Sequence, residues 1–206
     1  MIRGRDHGWS HGRTIRANLH RFAIKCTGGS AVKAICVGLL MLAVLEILAP
    51  RTLNWMILWP DRRFEPWQPL TYWMVHVGLL HVLTNVGIVW VMARDLEWRY
   101  SLLEIGGCFI VACVVGGCLH ALVSSTPIAG ASAGVFALMV MYIMSFPYKK
   151  LGWFTLGKLL IPLFVLQSVM GVVWTGQIPH LVGMVVGLCW MMFCGKAVRS
   201  ERPTLI

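Results

Sequence analysis

The sequence predicts an all-α polytopic membrane protein, a bundle of six transmembrane helices with both termini on the cytoplasmic side. Three observations carry this prediction. Of 206 residues, 58% are hydrophobic and only 13% are charged, against about 25% charged in globular chains, so a soluble fold of this size would have nowhere to hide its apolar surface. Six apolar runs recur along the chain, at about 33–50, 71–93, 103–123, 131–147, 157–175 and 179–195, each near the length a hydrocarbon core demands. With the N-terminus inside, fifteen of the 18 Lys and Arg residues fall in cytoplasmic regions and only Arg51, Arg62 and Arg63 fall outside, a positive-inside bias.

That placement also disposes of the obvious reading of a net charge of +10. The basic residues are distributed as topology, not as a nucleic-acid footprint. The seven cysteines contain no C-x-x-C pair, and an odd count argues against a complete disulfide framework. Cys36, Cys108, Cys113, Cys118, Cys189 and Cys194 lie within or beside apolar runs and Cys26 in the basic tail, so they read as small buried hydrophobes.

Residues 1–32 are polar and basic and read as a cytoplasmic tail. His7, His11 and His20 lie there without an accompanying Cys or Glu cluster and are solvated residues, not metal ligands. The run 33–50 has a basic flank, as a signal peptide would, but no A-x-A-like site follows, and Glu46-Ile-Leu-Ala-Pro-Arg51 favours a retained helix. The stretch from Arg51 to Leu70 holds Trp55, Trp59, Phe64 and Trp67, which suits a loop lying in the outer interface.

The run 71–93 contains His76, His81 and Asn85. Polar groups are costly at membrane depth and are by default a functional hypothesis. Arg94-Asp-Leu-Glu97-Trp-Arg99 closes it as a structural ion-pair cluster, and His120, near the outer end of 103–123, has no evident partner. The fourth run, Ala131–Pro147, opens on Ser132 after the irregular Ser124–Gly130, tolerable at depth only against protein or a water-filled cavity. The sixth, Pro179–Gly195, opens on His180 behind Pro179, a residue suited to a helix start. Residues 196–206 form a short cytoplasmic tail. No soluble domain and no internal repeat is seen.

In this orientation the second, fourth and sixth runs all enter from outside, so His76, His81, Asn85, Ser132 and His180 converge in one leaflet. For each there is a plain structural alternative. Gly130-Ala-Ser-Ala-Gly134 is also a G-x-x-x-G, a helix-packing face in which Ser132 is one more small residue. Gly183 and Gly187 on the sixth run would let a neighbour approach closely, and the small face around Ser132 is a natural partner; Ser132 and His180 then fit a nucleophile–base pair. His81 and Asn85, four apart, share a helix face and suit an oxyanion hole or interhelical hydrogen bonding. His76 and His81 are five apart and H-E-x-x-H is absent, so no metal site is expected.

From about Trp55 to Gly187 the chain resembles the rhomboid family of intramembrane serine proteases. The family's H-x-x-x-x-H-x-x-x-N matches His76, His81 and Asn85, its helix-end Glu-x-Arg matches Glu97-Trp-Arg99, its G-x-S-G is approached by Gly130-Ala-Ser132, and its H-x-x-G-x-x-x-G matches His180, Gly183 and Gly187. The aromatic loop before the second run resembles the family's first outer loop. Four motifs in order on a six-helix layout make a specific likeness.

The resemblance implies a Ser132–His180 dyad without an acidic third member. His81, Asn85 and the Ser132 backbone N–H would hold the oxyanion, His76 would support that network, and Phe136 would pack on the catalytic histidine. There are three departures. Ala133 stands where the motif has Gly, with Gly134 one place later; Trp67-Gln68 replaces a Trp-Arg; Ala93 and Arg94 replace glycines before the Glu-x-Arg.

The expected function is therefore that of a serine endopeptidase in a rhomboid-like bundle, cutting single-pass transmembrane proteins near the outer face, with neither cofactor nor metal and with the lipid bilayer, not nucleic acid, as its medium. The expected location is a bacterial inner membrane, with the site facing the non-cytoplasmic side. The alternative is a weakly active or inactive rhomboid-like protein that binds transmembrane helices as a chaperone or escort. Inactive relatives typically lack the Ser or the His, and this chain has both. A six-helix transporter would need inverted repeats or midplane charges, and neither is seen.

Overall fold

The computed structural model describes residues 30–49, 51–61, 63–148, 150–151, 154–155 and 177–193. Helix α1 spans Ser30–Leu48; a 3-10 turn follows at Asn54–Met56; α2 is the short Gln68–Thr71, continued by a 3-10 turn Tyr72–Met74; α3 spans Leu79–Arg99, α4 Leu102–Val123, α5 Ser132–Ser145 and α6 Gln177–Phe193. A two-residue antiparallel ladder, Lys150–Leu151 (β1) with Phe154–Thr155 (β2), lies beyond α5. Five of the six expected helices are thus described. The run 157–175, most of the 1–32 tail and the 196–206 tail lie outside the described residues.

The expected second helix, 71–93, is corrected at both ends. Its first third is not part of the long helix. The 3-10 turn stops at Met74, and Gly78, at φ 90°, redirects the chain before α3 starts at Leu79. That backbone conformation is open to Gly at little cost. At the other end the charges at Arg94, Asp95, Glu97 and Arg99 end the apolar run but not the helix, because charged side chains do not break backbone hydrogen bonding. The stop is supplied at Tyr100, which is extended, and by Ser101, which caps α4 in a capping box with Glu104. The other boundaries shift by three residues at most: α1 begins at Ser30 where the tail was expected to run to 32, and α5 ends at Ser145 instead of Pro147.

By length and composition α3 and α4 are each able to cross a membrane, while α5 and α6 are shorter apolar helices. At 14 residues, α5 is about 21 Å long, and eleven of its residues are buried, from Ser132 through Met139 and at Met141, Tyr142 and Ser145. It is the central helix. α6 packs on α5 and α4, α5 on α4 and α3, α1 on α3, and α2 on α4. Large apolar side chains on the outer faces of α1, α3 and α4 are exposed, among them Met41, Leu80, Trp98, Leu103 and Leu122, as lipid-facing surfaces require.

Lipid tails are as apolar as the side chains, so these helices are held by close packing and interhelical hydrogen bonds more than by hydrophobic burial. The packing is visible at glycines. A Cβ at Gly183 would collide with the carbonyl oxygen of Ala133, and one at Gly187 would stand 2.6 Å from that of Ala137, so α6 lies on α5 backbone to backbone. A Cβ at Gly134 would lie 2.5 Å from the ring of Phe109 on α4.

The hydrogen bonds sit toward the ends. The Tyr72 hydroxyl donates to the Cys113 carbonyl at 2.8 Å, joining the approach to α3 to α4. At the opposite end Tyr142 donates to Asp95 at 2.8 Å, Arg99 donates to the Ser145 carbonyl at 3.4 Å, and the Tyr100 and Ser145 hydroxyls are 2.6 Å apart. Two of the charges at the end of α3, Asp95 and Arg99, thus bond across to α5.

Candidate active site

Three chain segments meet at one end of the bundle: the N-termini of α3, α5 and α6. The approach to α5 is the best tethered of them. Leu58 and Ile128 exchange both backbone hydrogen bonds, at 3.1 and 3.0 Å, so the loop after α1 pairs with the segment leading to Ser132. The His120 ring, fully buried on α4, donates from Nε2 to the Thr126 carbonyl at 2.8 Å. Gly130 donates its N–H to the Tyr72 carbonyl at 3.0 Å, and Ala131 donates its N–H to Nε2 of His76 at 3.2 Å. Every one of these tethers precedes Ser132.

Gly130 has φ 125°, and a Cβ there would lie 2.5 Å from Cε1 of His81. Both the conformation and the His81 ring exclude a side chain at this position. His81, in the first turn of α3, meets the His76 ring edge to face at 5.1 Å between centroids. Asn85, one turn on, is 1% exposed with Nδ2 unpartnered among the described residues. A buried amide N–H without an acceptor is costly, and such a group is free to donate to a bound molecule. Because Val75–Gly78 is not helical, His76 is held ahead of α3 and His81 and Asn85 on it.

Ser132 is the first residue of α5, 9% exposed. Its Oγ is 2.7 Å from Nε2 of His180, within the range in which an imidazole can take a hydroxyl proton. As the first helical residue Ser132 also has a backbone N–H without an intrahelical acceptor. The His180 ring stacks on Phe136, one turn along α5, with centroids 4.5 Å apart and planes at 30°. Its Nδ1 is buried and has no hydrogen-bond partner, and hence no orienting carboxylate, among the described residues. Among the same residues no group of three His, Cys, Asp or Glu side chains is arranged to hold a metal.

The structure brings together Ser132, His180 and Phe136 on one side, and His76, His81 and Gly130 on the other, joined through the Gly130–Ser132 backbone. Gly183 and Gly187 line the contact behind the dyad.

Sequence reasoning missed four contributors. His120 had no evident partner because its partner is a loop carbonyl. Tyr72 is fully buried against Gly117, where a Cβ would lie 2.6 Å from its ring. Gln68 is 3% exposed; its Oε1 accepts from the Trp59 N–H and its Nε2 donates to the Arg63 carbonyl, both at 3.1 Å. The loop's anchor is thus a buried amide where a charged residue was looked for. Beside it the Arg63 guanidinium lies 3.6 Å from the centroid of the Trp59 ring and pairs with Asp61 at 2.8 Å, which lowers the Asp61 carboxyl below its usual range. The fourth is Gly116, where a Cβ would lie 3.3 Å from the Cβ of Ala133 and from the Cα of Pro179; the doublets Gly106-Gly107 and Gly116-Gly117 were the available signal for close packing on α4.

Comparison with known proteins bears on the family of the chain. A family model described as the rhomboid domain matches residues 63–197. Rhomboid-related protein 2 of Mus musculus is 28% identical over 116 residues, which is 54% of this chain and 38% of that protein. Rhomboid-related protein 1 of Caenorhabditis elegans is 34% identical over 85 residues, 41% of this chain and 24% of that protein. Rhomboid protease GlpG of Haemophilus influenzae is 26% identical over 143 residues, 66% of this chain and 74% of that protein. The chain spans between 24% and 38% of the length of the rhomboid-related proteins it matches first.

Proposed function

The chain belongs to the rhomboid family of polytopic membrane proteins, and on that premise we propose that it is an intramembrane serine endopeptidase working through a Ser132–His180 dyad. The observation that carries the proposal is the 2.7 Å separation of Ser132 Oγ and His180 Nε2.

In the proposed reaction Ser132 Oγ bonds to the scissile carbonyl carbon while its proton passes to His180 Nε2. The resulting oxyanion is met by the Ser132 backbone N–H, His81 and Asn85, donors of the kind whose single loss costs about a hundredfold or more in rate. As the tetrahedral intermediate collapses, the C–N bond breaks and His180 returns its proton to the leaving amine. Water then bonds to the acyl carbon while its proton passes to His180, and as the acyl C–Oγ bond breaks His180 hands that proton to Ser132 Oγ, releasing the carboxyl product. Without an acidic partner, the His180 ring is oriented by its stack on Phe136. His76 acts one step back, by fixing the Ala131 N–H and with it the backbone that enters the nucleophile.

The substrates are single-pass transmembrane proteins, cut near the outer membrane face where helix-destabilising residues expose the backbone. The positive-inside distribution of Lys and Arg supports an orientation with both termini cytoplasmic and the site on the other side, and a bacterial inner membrane is the location this reading proposes.

The test is labelling of detergent-solubilised protein by a fluorophosphonate probe, beside Ser132→Ala and His180→Ala. Wild type labels and both variants do not. If folded wild type labels no better than Ser132→Ala, the chain is a helix-binding escort without hydrolytic activity, and the protease reading falls.

A further inference from the structure

Gly116 lies on α4, a helix that supplies none of the proposed reacting groups. A Cβ built there would stand 3.3 Å from the Cβ of Ala133, 3.3 Å from the Cα of Pro179 and 3.4 Å from the Cβ of Pro179. Ala133 directly follows Ser132, and Pro179 directly precedes His180. One bare backbone position therefore touches the flank of the nucleophile's helix and the flank of the base's helix at once.

We propose that Gly116 is a positioning residue for the dyad: its missing side chain sets how closely α5 and α6 seat on α4, and so the separation of Ser132 from His180. The inference rests on the dyad reading above.

The physical reason is that neither neighbour has room to yield. The Ala133 methyl is fixed to the α5 backbone, and α5 cannot back away freely, because Gly183 of α6 is already seated on the Ala133 carbonyl. Pro179 meets the position with main-chain Cα, which moves only if α6 moves. A methyl on Gly116 is thus relieved by sliding α6 relative to α5. That motion falls on the 2.7 Å contact between Ser132 and His180, and proton transfer needs these atoms within roughly 3.2 Å. A misplacement of 1 Å at a reacting pair costs on the order of a hundredfold, so the few tenths of an ångström that this contact demands cost up to about tenfold.

Ala133 gives the proposal a second handle. It is the residue at which this chain departs from G-x-S-G, so one methyl already occupies the space between α5 and α4. Adding another at Gly116 crowds it; moving the existing one from α5 to α4 does not.

The experiment compares fluorophosphonate labelling rates of full-length wild type, Gly116→Ala, and Gly116→Ala combined with Ala133→Gly, together with thermal unfolding in the same detergent. Gly116→Ala is expected to label about tenfold more slowly at saturating probe, with half-saturation unchanged. The double variant is expected within about threefold of wild type. A merely structural role would lower the unfolding midpoint and leave the labelling rate of the folded fraction untouched. Labelling of Gly116→Ala at the wild-type rate, or no recovery in the double variant, overturns the proposal. If Gly116→Ala alone does not fold, the double variant decides: labelling near wild type supports the proposal, and failure to fold or label overturns it. Wild type that does not label at all counts against the dyad itself, a different result from either.

Discussion

The Nε2 of His76 accepts the backbone N–H of Ala131 at 3.2 Å, so a side chain 56 residues before the nucleophile fixes the peptide that leads into it. The bond requires a neutral ring with its lone pair on Nε2.

Replacing His76 by Ala strands a buried N–H one residue from Ser132. A stranded group of this kind costs about 1–3 kcal/mol, and the Gly130–Ser132 backbone loses its inner tether. Fluorophosphonate labelling is expected to fall by on the order of tenfold or more, with a lower unfolding midpoint. Unchanged labelling in His76→Ala would remove His76 from the supporting set.

Gly130→Ala is the sharper test of the same backbone. The substitution meets a φ of 125° and the His81 ring together, and the strain of the first alone is of order 1–3 kcal/mol. Labelling should drop by about a hundredfold while circular dichroism still reports a helical protein. A Gly130→Ala variant that labels like wild type would mean that the His81 ring is not needed where it sits.

Phe136 supplies the face on which His180 rests. An aromatic contact of this type is worth about 0.5–1.5 kcal/mol, so Phe136→Leu should slow labelling by up to roughly tenfold and leave folding nearly intact. Phe136→Tyr keeps the ring and should retain most of the rate. Equal rates for Leu and Tyr at this position would rule out the stack as the orienting contact.

Gln68→Ala removes both hydrogen bonds that close the 59–68 loop, leaving the Trp59 N–H and Arg63 carbonyl without their partner. The expected loss is about 1–3 kcal/mol, read as a lower unfolding midpoint and faster proteolysis within residues 51–70. Gln68→Glu keeps the acceptor for Trp59 but cannot donate to the Arg63 carbonyl when ionised, so it should fall between the two. Proteolysis of the loop at the wild-type rate would show that Gln68 is not its anchor.

How much of this was legible in the sequence depends on the kind of signal. Ser132, His180, His81 and Asn85 were legible because polar groups in apolar runs are conspicuous, and helical spacing then puts them at the same end. The number and order of the helices followed from apolar length alone for the described part of the chain. The start of α3 did not, because hydropathy does not distinguish a helix from a buried 3-10 turn followed by Gly78. The contributions of Gln68, His120 and Gly116 depend on contacts with residues distant in sequence, and no local pattern encodes those. Sequence pattern identifies a group that is out of place; it does not identify the empty position that lets two helices meet.

The burial of α5 has a consequence for how the protein meets its bilayer. A helix with eleven of its 14 residues buried, Met144 near its far end being exposed, has little boundary of its own with lipid, and none over Ser132–Met139. The outer helices can tilt to suit a thicker or thinner membrane, but the height of Ser132 is measured from the protein that surrounds it. Changes in bilayer thickness therefore act on the tilt of the outer helices, while Ser132 keeps its level relative to the protein around it.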